Sequence, residues 1–313
     1  MSQFIAILKI VFPVFALILL GAALHRLKIV DDHFCRQANR LVYFVFLPAL
    51  LFYKTATADF AGSFNLRLVL GASAALLAGC LLAYAWGVAA GYAAADRGTF
   101  CQGAFRGNLA YVGLPIIFSA YGEQGLARAG MLMGGLVPLI NLLAIVVLLL
   151  PHRSDRKLRA PWREQLLLNP LVLAALGGLL WSRLALPMPE LAQRTLLPLT
   201  QVALPLALLA IGAGFSLGQL QGDLLRAALA SSFKLILFPL LNGLILIFMG
   251  ITGQNLAIAL LLATTPTAAA SYIMAHELDG NPGLAASIIV LSTLLAAPVF
   301  TGLLLMLKFT GLL

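Results

Sequence analysis

Two stretches of this 313-residue chain combine helix-breaking residues with small polar ones in a pattern suited to holding a ligand. The first reads Gly107-Asn108-Leu109-Ala110-Tyr111-Val112-Gly113-Leu114-Pro115, and the second Thr264-Thr265-Pro266-Thr267-Ala268-Ala269-Ala270-Ser271-Tyr272. Proline removes a backbone donor and clashes with the preceding turn, and glycine adds freedom, so both apolar segments are expected to break part-way along. A break leaves N–H and C=O groups unpaired, and the half-helix beyond it starts with a partial positive charge that suits an anion. At membrane depth such breaks persist only beside protein or a watery cavity. The candidate substrate-binding residues are therefore Asn108, Tyr111, Gly113 and Pro115 in the first stretch, and Thr265, Pro266, Thr267 and Ser271 in the second. A pair of packing kinks would use the same residue types, because Pro and Gly are common in membrane helices.

Lys234, within SSFKLILFPLLNG, joins that set as the one ionisable residue expected deep in an apolar span. A charge at mid-bilayer costs about 2.5–3.5 kcal/mol on insertion scales and normally faces protein. Three roles are open to it: balancing a substrate carboxylate, capping the carbonyls of a broken helix, or snorkelling toward the Arg226 end. Lys9, one turn into its helix, fits snorkelling. Ser231, Ser232, Gln201 and Asn242 are polar groups able to line a path or to bond neighbouring helices. His25, His33, His152 and His276 fall in loops or at helix ends without metal-ligand spacing, and Cys35, Cys80 and Cys101 read as small apolar fillers. No cofactor or metal is expected. Paired carboxylates or a histidine dyad inside the spans, which a membrane-embedded enzyme would need, are missing.

These residues need helices to hold them, and the composition supplies such helices. Hydrophobic residues make up 62% of the chain and charged ones 10%, and apolar runs recur near the 20 residues that cross a bilayer. The net charge of +9 sits in short loops, as in polytopic proteins, and not on a basic helix face that would suit nucleic acid. Ten spans are expected, near 4–24, 39–53, 68–92, 105–121 and 129–150, then 166–182, 196–218, 226–250, 254–275 and 283–307. The fourth and ninth are the interrupted ones.

The two halves match at a constant separation. Pro13, Leu19, Gly21, Arg26 and Leu27 fall on Pro170, Leu176, Gly178, Arg183 and Leu184, 157 residues on, and Leu47, Pro48 and Leu51 fall on Leu204, Pro205 and Leu208. Gly122, Gly125, Leu126 and Ala127 meet Gly280, Gly283, Leu284 and Ala285 at 158. The expected domains are a five-helix repeat over 1–150, a basic connector over 151–165 and a second repeat over 166–313. An odd number of crossings per repeat inverts the second relative to the first. The fold class is thus an all-α membrane protein of two inverted five-helix repeats. Twelve loop cations, Arg106 and the connector's five among them, fall on one side, and six, including Lys54 and Arg128, on the other. The richer side is expected to be cytoplasmic, with both termini outside.

With the repeat and the breaks in place, the chain resembles the auxin efflux carrier family in its bacterial form. The likeness is carried by FPVFALILLGAALHR, LVYFVFLPALLF, Asn108 with YVGLP, NPLVLAALGGLL, LPLALLAIGAGFSLG, KLILFPLL and TPTAAASYIMA, in order along nearly the whole chain. The resemblance implies crossed, broken fourth and ninth helices. It also implies a scaffold of the first, second, sixth and seventh helices, often dimeric, against which the rest moves as a transport domain. Family members carry organic anions, among them auxin, malonate and malate. The short central connector implies a bacterial plasma-membrane protein. Asn108, Pro115 and Pro266 are the positions that match family site residues, with Lys234 less securely. A sodium-coupled acid symporter of the bile-acid type shares the layout and is the alternative; the spans hold no Asp or Glu for its ion, though broken-helix carbonyls and Thr264, Thr265 and Thr267 remain available.

Overall fold

The computed structural model describes residues 2–59, 64–152, 170–214 and 223–312. Most of the connector and residues 215–222 therefore lie outside the described residues. The described residues are helical, with one isolated antiparallel bridge between Gly107 and Thr267. In order, α1 is Ser2–Arg26, α2 Asp32–Leu41, α3 Leu47–Ala56, α4 Leu66–Ala89, α5 Ala94–Phe105, α6 Leu114–Leu149, α7 Pro170–Arg183 and α8 Glu190–Ala213. Then come α9 Leu224–Ser232, α10 Phe238–Phe248, α11 Gly253–Ala263, α12 Ala270–Glu277 and α13 Pro282–Phe309. Six helical stretches are long and apolar enough to cross a bilayer, and α7 and α11 are shorter apolar helices.

Local sequence explains most ends. Asp31, Asn65, Asp223 and Asn281 each accept a hydrogen bond from a backbone N–H of the first turn they precede, which satisfies donors that the helix itself leaves open. Three wide π turns, Val42–Phe46, Leu109–Gly113 and Phe233–Leu237, each precede a proline by two residues: Pro48, Pro115 and Pro239. A proline cannot donate to the ladder and pushes away the carbonyl four residues back, and the wider turn accommodates both demands. The first π turn joins α2 and α3 into one helix from Asp32 to Ala56, longer than the expected 39–53. Within α6, Gly122 has φ 61° and ψ −151°, so two helices meet there. The fourth expected span therefore begins earlier than 105: it is α5, a break at 106–108, and the stretch from Leu109 to the Gly122 kink.

The helices pack in two groups. In one, α1 lies along α8 and α3 along α7, with α3 also touching α8. The α1–α8 contact is backbone to backbone: a Cβ on Gly21 would overlap the Leu209 carbonyl, and one on Gly212 the Ile18 carbonyl. In the α3–α7 contact, a Cβ on Gly178 would sit 2.8 Å from the Phe52 carbonyl oxygen. Small residues let apolar helices approach this closely where hydrophobic burial supplies little driving force. The other group stacks α4 on α5, α10 and α6, α9 on α13 and α5, and α11 on α6 and α10. Phe100, Phe105 and Phe300 are fully buried in it, while Phe12, Leu19, Leu81 and Phe248 project outward, as side chains facing lipid tails do. Residues with left-handed φ recur in pairs, Lys28 with Ala185, Gly91 with Gly250, and Gly122 with Asp279, at separations of 157, 159 and 157 residues.

Candidate functional site

The two interrupted segments meet. The Asn108 N–H donates to the Pro266 carbonyl at 2.7 Å, and the Ala268 N–H donates to the Arg106 carbonyl at 3.0 Å. These bonds form the Gly107–Thr267 bridge and satisfy backbone groups that breaking two helices would otherwise leave open. Gly107 is required there, because a Cβ would overlap the Thr265 hydroxyl oxygen.

The candidate residues divide by what they touch. Asn108 caps the following half-helix through its side-chain oxygen, which accepts from the Tyr111 N–H at 3.4 Å, and it is only partly buried. Tyr111 reaches across to the other helix group, donating a long 3.5 Å bond to the Asn39 carbonyl on α2. Gly113 lets Leu262 and Thr265 approach. Pro115 lines a cavity of about 350 Å³ between the two groups, together with Ser119, Glu123, Lys54, Thr200 and Gln201. Lys54 and Glu123 pair at 2.5 Å across it.

On the second segment the hydroxyls of Thr265 and Thr267 are committed to backbone. Thr265 donates to the Leu262 carbonyl at 2.7 Å, and Thr267 to the Gly103 carbonyl at 2.8 Å. The Thr267 N–H is held by Ser292 Oγ at 3.1 Å. Pro266 supplies its carbonyl to Asn108. The Ser271 carbonyl accepts from Gln102 Nε2 at 3.1 Å, while Ser271 Oγ and Gln102 Oε1 are buried without a protein partner. Thr267 and the Ser271 carbonyl thus pin the second segment to α5 and Thr265 braces the end of its own helix, whereas Asn108 and Tyr111 lie at the partly open edge of the crossing.

Lys234 is fully buried within the third π turn and donates to the Ala263 carbonyl at the end of α11. Its Nζ also lies 5.0 Å from the centre of the Phe238 ring. A cation at this helix end answers the partial negative charge of the last carbonyls. Capping, one of the three roles left open, is the contact observed, and complete burial excludes snorkelling. Lys234, Gly107 and Asn242 line a small cavity of about 20 Å³, near the size of one water molecule, and Asn242 Oδ1 has no protein partner.

Sequence reasoning missed Arg106. Counted as a loop cation, it lies instead in the break, 9% exposed, and donates to Asn141 Oδ1 at 2.8 Å and to Met274 Sδ. Lys234 is therefore not the one deep cation. The polar content of α5, with Asp96, Arg97, Gln102 and several small residues, hid its helix from an apolar-run reading. The remaining signal was position, a cation one residue before the Gly107-Asn108 break. Among the described residues no cluster of His, Cys, Asp and Glu is arranged to hold a metal.

The family model described as membrane transport protein matches residues 6–161 and again 158–304. A protein of Methanothermobacter thermautotrophicus described as an uncharacterized transporter is 27% identical over 289 residues, covering 91% of this chain and 93% of its own. Auxin efflux carrier component 3 of Arabidopsis thaliana is 24% identical over 147 residues, 44% of this chain and 22% of the carrier. With its apolar helices and a family match across both halves, this multi-pass membrane protein belongs to the membrane transport protein family, the family of auxin efflux carrier type.

Proposed function

We propose that the protein is a secondary transporter of a small organic anion, a mono- or dicarboxylate, working as a carrier and not as an enzyme. The observation that carries the reading is the Gly107–Thr267 crossing, where two broken helices are bonded to each other beside a cavity shared with the other helix group. Crossed half-helices in corresponding positions of two repeats are a common transporter design for a substrate site near the midplane. Asn108 and Tyr111 are proposed to contact the substrate, with Gly113 and Pro115 shaping the approach. Thr265, Pro266, Thr267 and Ser271 hold the second half of the site in register, and Lys234 adds positive potential from behind.

Two inverted five-helix repeats, over 1–150 and 166–313 and joined by the basic connector 151–165, are part of the proposal. Its support is the pairing of left-handed residues at separations of 157 to 159 and the separate family match in each half. The reciprocal contacts of α1 with α8 and α7 with α3 add to it, each through a glycine that the repeat aligns. In this reading α1, α2, α3, α7 and α8 form a scaffold, which also provides a surface for a homodimer, and the remaining helices rock against it in alternating access. The setting is a bacterial plasma membrane, with both termini outside. The test is uptake of radiolabelled acetate, malonate and malate into proteoliposomes, with and without proton or sodium gradients. Saturable uptake of at least one acid is expected, and uptake no greater than in protein-free liposomes for the whole panel would refute the reading. Uptake that depends on a sodium gradient would favour the symporter of the bile-acid type.

A further inference from the structure

We infer that Arg106 binds the carboxylate of the transported acid, an inference that rests on the transporter reading above. Arg106 lies in the break itself, two residues before Asn108, and its carbonyl is fixed by the Ala268 N–H at 3.0 Å. Its guanidinium is buried between Asn141 on α6 and Met274 on α12, and it is partnered by an amide oxygen at 2.8 Å and a thioether sulfur. Neither acceptor is charged, and a thioether is a weak acceptor. Among the described residues no carboxylate lies within ion-pair distance of Arg106, unlike Lys54, which pairs with Glu123, and Arg226, which pairs with Asp96 and Asp223.

A buried cation without a counterion is costly, in a protein interior and more so at membrane depth. Lys234 meets that cost differently: it is fully buried and spends its charge on a helix-end carbonyl. Arg106 is 9% exposed, and its neighbours Asn108 and Tyr111 are partly exposed, with Tyr111 bonded to the Asn39 carbonyl on α2. Arg106 thus lies just behind the partly exposed Asn108–Tyr111 edge of the break, within one turn of where a substrate would enter. The planar fork of donors matches a carboxylate two bonds at a time, a match that neither a neutral nor a cationic solute offers. An arriving carboxylate takes the place of Met274 Sδ at one Nη while Asn141 keeps the other, and Asn108 lies within the same break to hold the rest of the acid.

The experiment uses the full chain in proteoliposomes with the same labelled acids. If wild-type protein carries none of them, the transporter reading fails and this inference falls with it. If it carries one, Arg106→Gln should raise the half-saturation concentration for that acid about 30-fold or more, and Arg106→Lys should recover part of the loss. The uncharged methyl ester of the acid, a poor competitor against wild type, should compete with Arg106→Gln as well as the acid does. A merely structural role would lower the amount of active protein without altering that ratio. Asn141→Asp provides a second route should Arg106→Gln not fold, because it gives Arg106 a permanent carboxylate and removes its vacancy; acid affinity should fall sharply while the protein stays monodisperse. Unchanged acid affinity and unchanged discrimination against the ester, in either variant, would overturn the role of Arg106 and leave the transporter reading standing.

Discussion

Gly107 illustrates how narrowly single residues are constrained at the crossing. Its missing side chain leaves room for the Thr265 hydroxyl, and Lys234 Cε would lie 3.2 Å from any added Cβ. Gly107→Ala should destabilise the protein by about 1–3 kcal/mol through overpacking and abolish uptake, read by thermal unfolding and the proteoliposome assay together. Wild-type values in both would mean that the crossing is looser than its hydrogen bonds imply. Lys234→Ala removes the cap on the Ala263 carbonyl and leaves it unpaired, a loss of about 1–3 kcal/mol, and uptake should fall strongly. Lys9→Ala should change little, since that side chain is exposed. Residue types singled out the two interrupted stretches and Lys234, because paired breakers and a charge within an apolar run are legible, and the family resemblance added weight to Asn108, Pro115 and Pro266. They did not separate Thr265 and Thr267, whose hydroxyls are already spent on carbonyls, from Asn108 and Tyr111 at the open edge. Hydrogen-bond partners depend on which carbonyl lies nearby, and no local pattern encodes that.

At the scale of elements, glycines decide how close two helices come. Gly212→Leu would force apart α1 and α8, which now touch through the Ile18 carbonyl. A large loss of monodisperse protein in detergent is expected, whereas Gly302→Leu, which faces open space, should behave as wild type. A normal yield from Gly212→Leu would show the α1–α8 contact to be dispensable. The Lys54–Glu123 pair ties the end of α3 to the residue just after the Gly122 kink, across the 350 Å³ cavity. If the two helix groups move against each other, a covalent link at this point should stop them. Lys54→Cys with Glu123→Cys, in a background lacking Cys35, Cys80 and Cys101, should lose uptake when bridged by a bifunctional thiol reagent with a reducible spacer and regain it on reduction. Undiminished uptake by the cross-linked protein would sink the rocking mechanism. The interruptions beside Pro115 and Pro266 were readable in advance, but the Gly122 kink, the π turns before Pro48 and Pro239 and the whole of α5 were not, since a helix that buries polar residues against protein need not be apolar.

For the whole molecule, orientation is the open quantity that the loop charges address. With five crossings per repeat, reporter fusions after residues 160 and 313 should give opposite readings, cytoplasmic first and external second. Matching readings would break the five-per-repeat topology. The Arg226–Asp96 pair at 2.5 Å and the Asn281 bond to Asp96 at 2.8 Å gather the starts of α9, α5 and α13 at one end of the molecule. That end carries Arg97 as well, and it is the one assigned to the cytoplasm.

The sequence by itself determined that this is a helical membrane protein, because hydropathy and run length are local sums over neighbouring residues, while the transport reading came from the paired breaks and the resemblance to the auxin efflux carrier family. It also located both breaks, since proline and glycine act on their own backbone. Only the tertiary structure decided that the breaks bond to each other, that Gly21 and Gly212 bring α1 against α8, and that Lys234 is a cap. The same holds for Arg106, whose six-letter surroundings, AFRGNL, read as a loop until the second interrupted segment is laid across it. Burial and hydrogen bonding of a side chain depend on residues some 170 positions away, as in the Arg106–Met274 contact, and that distance is closed only when the chain folds.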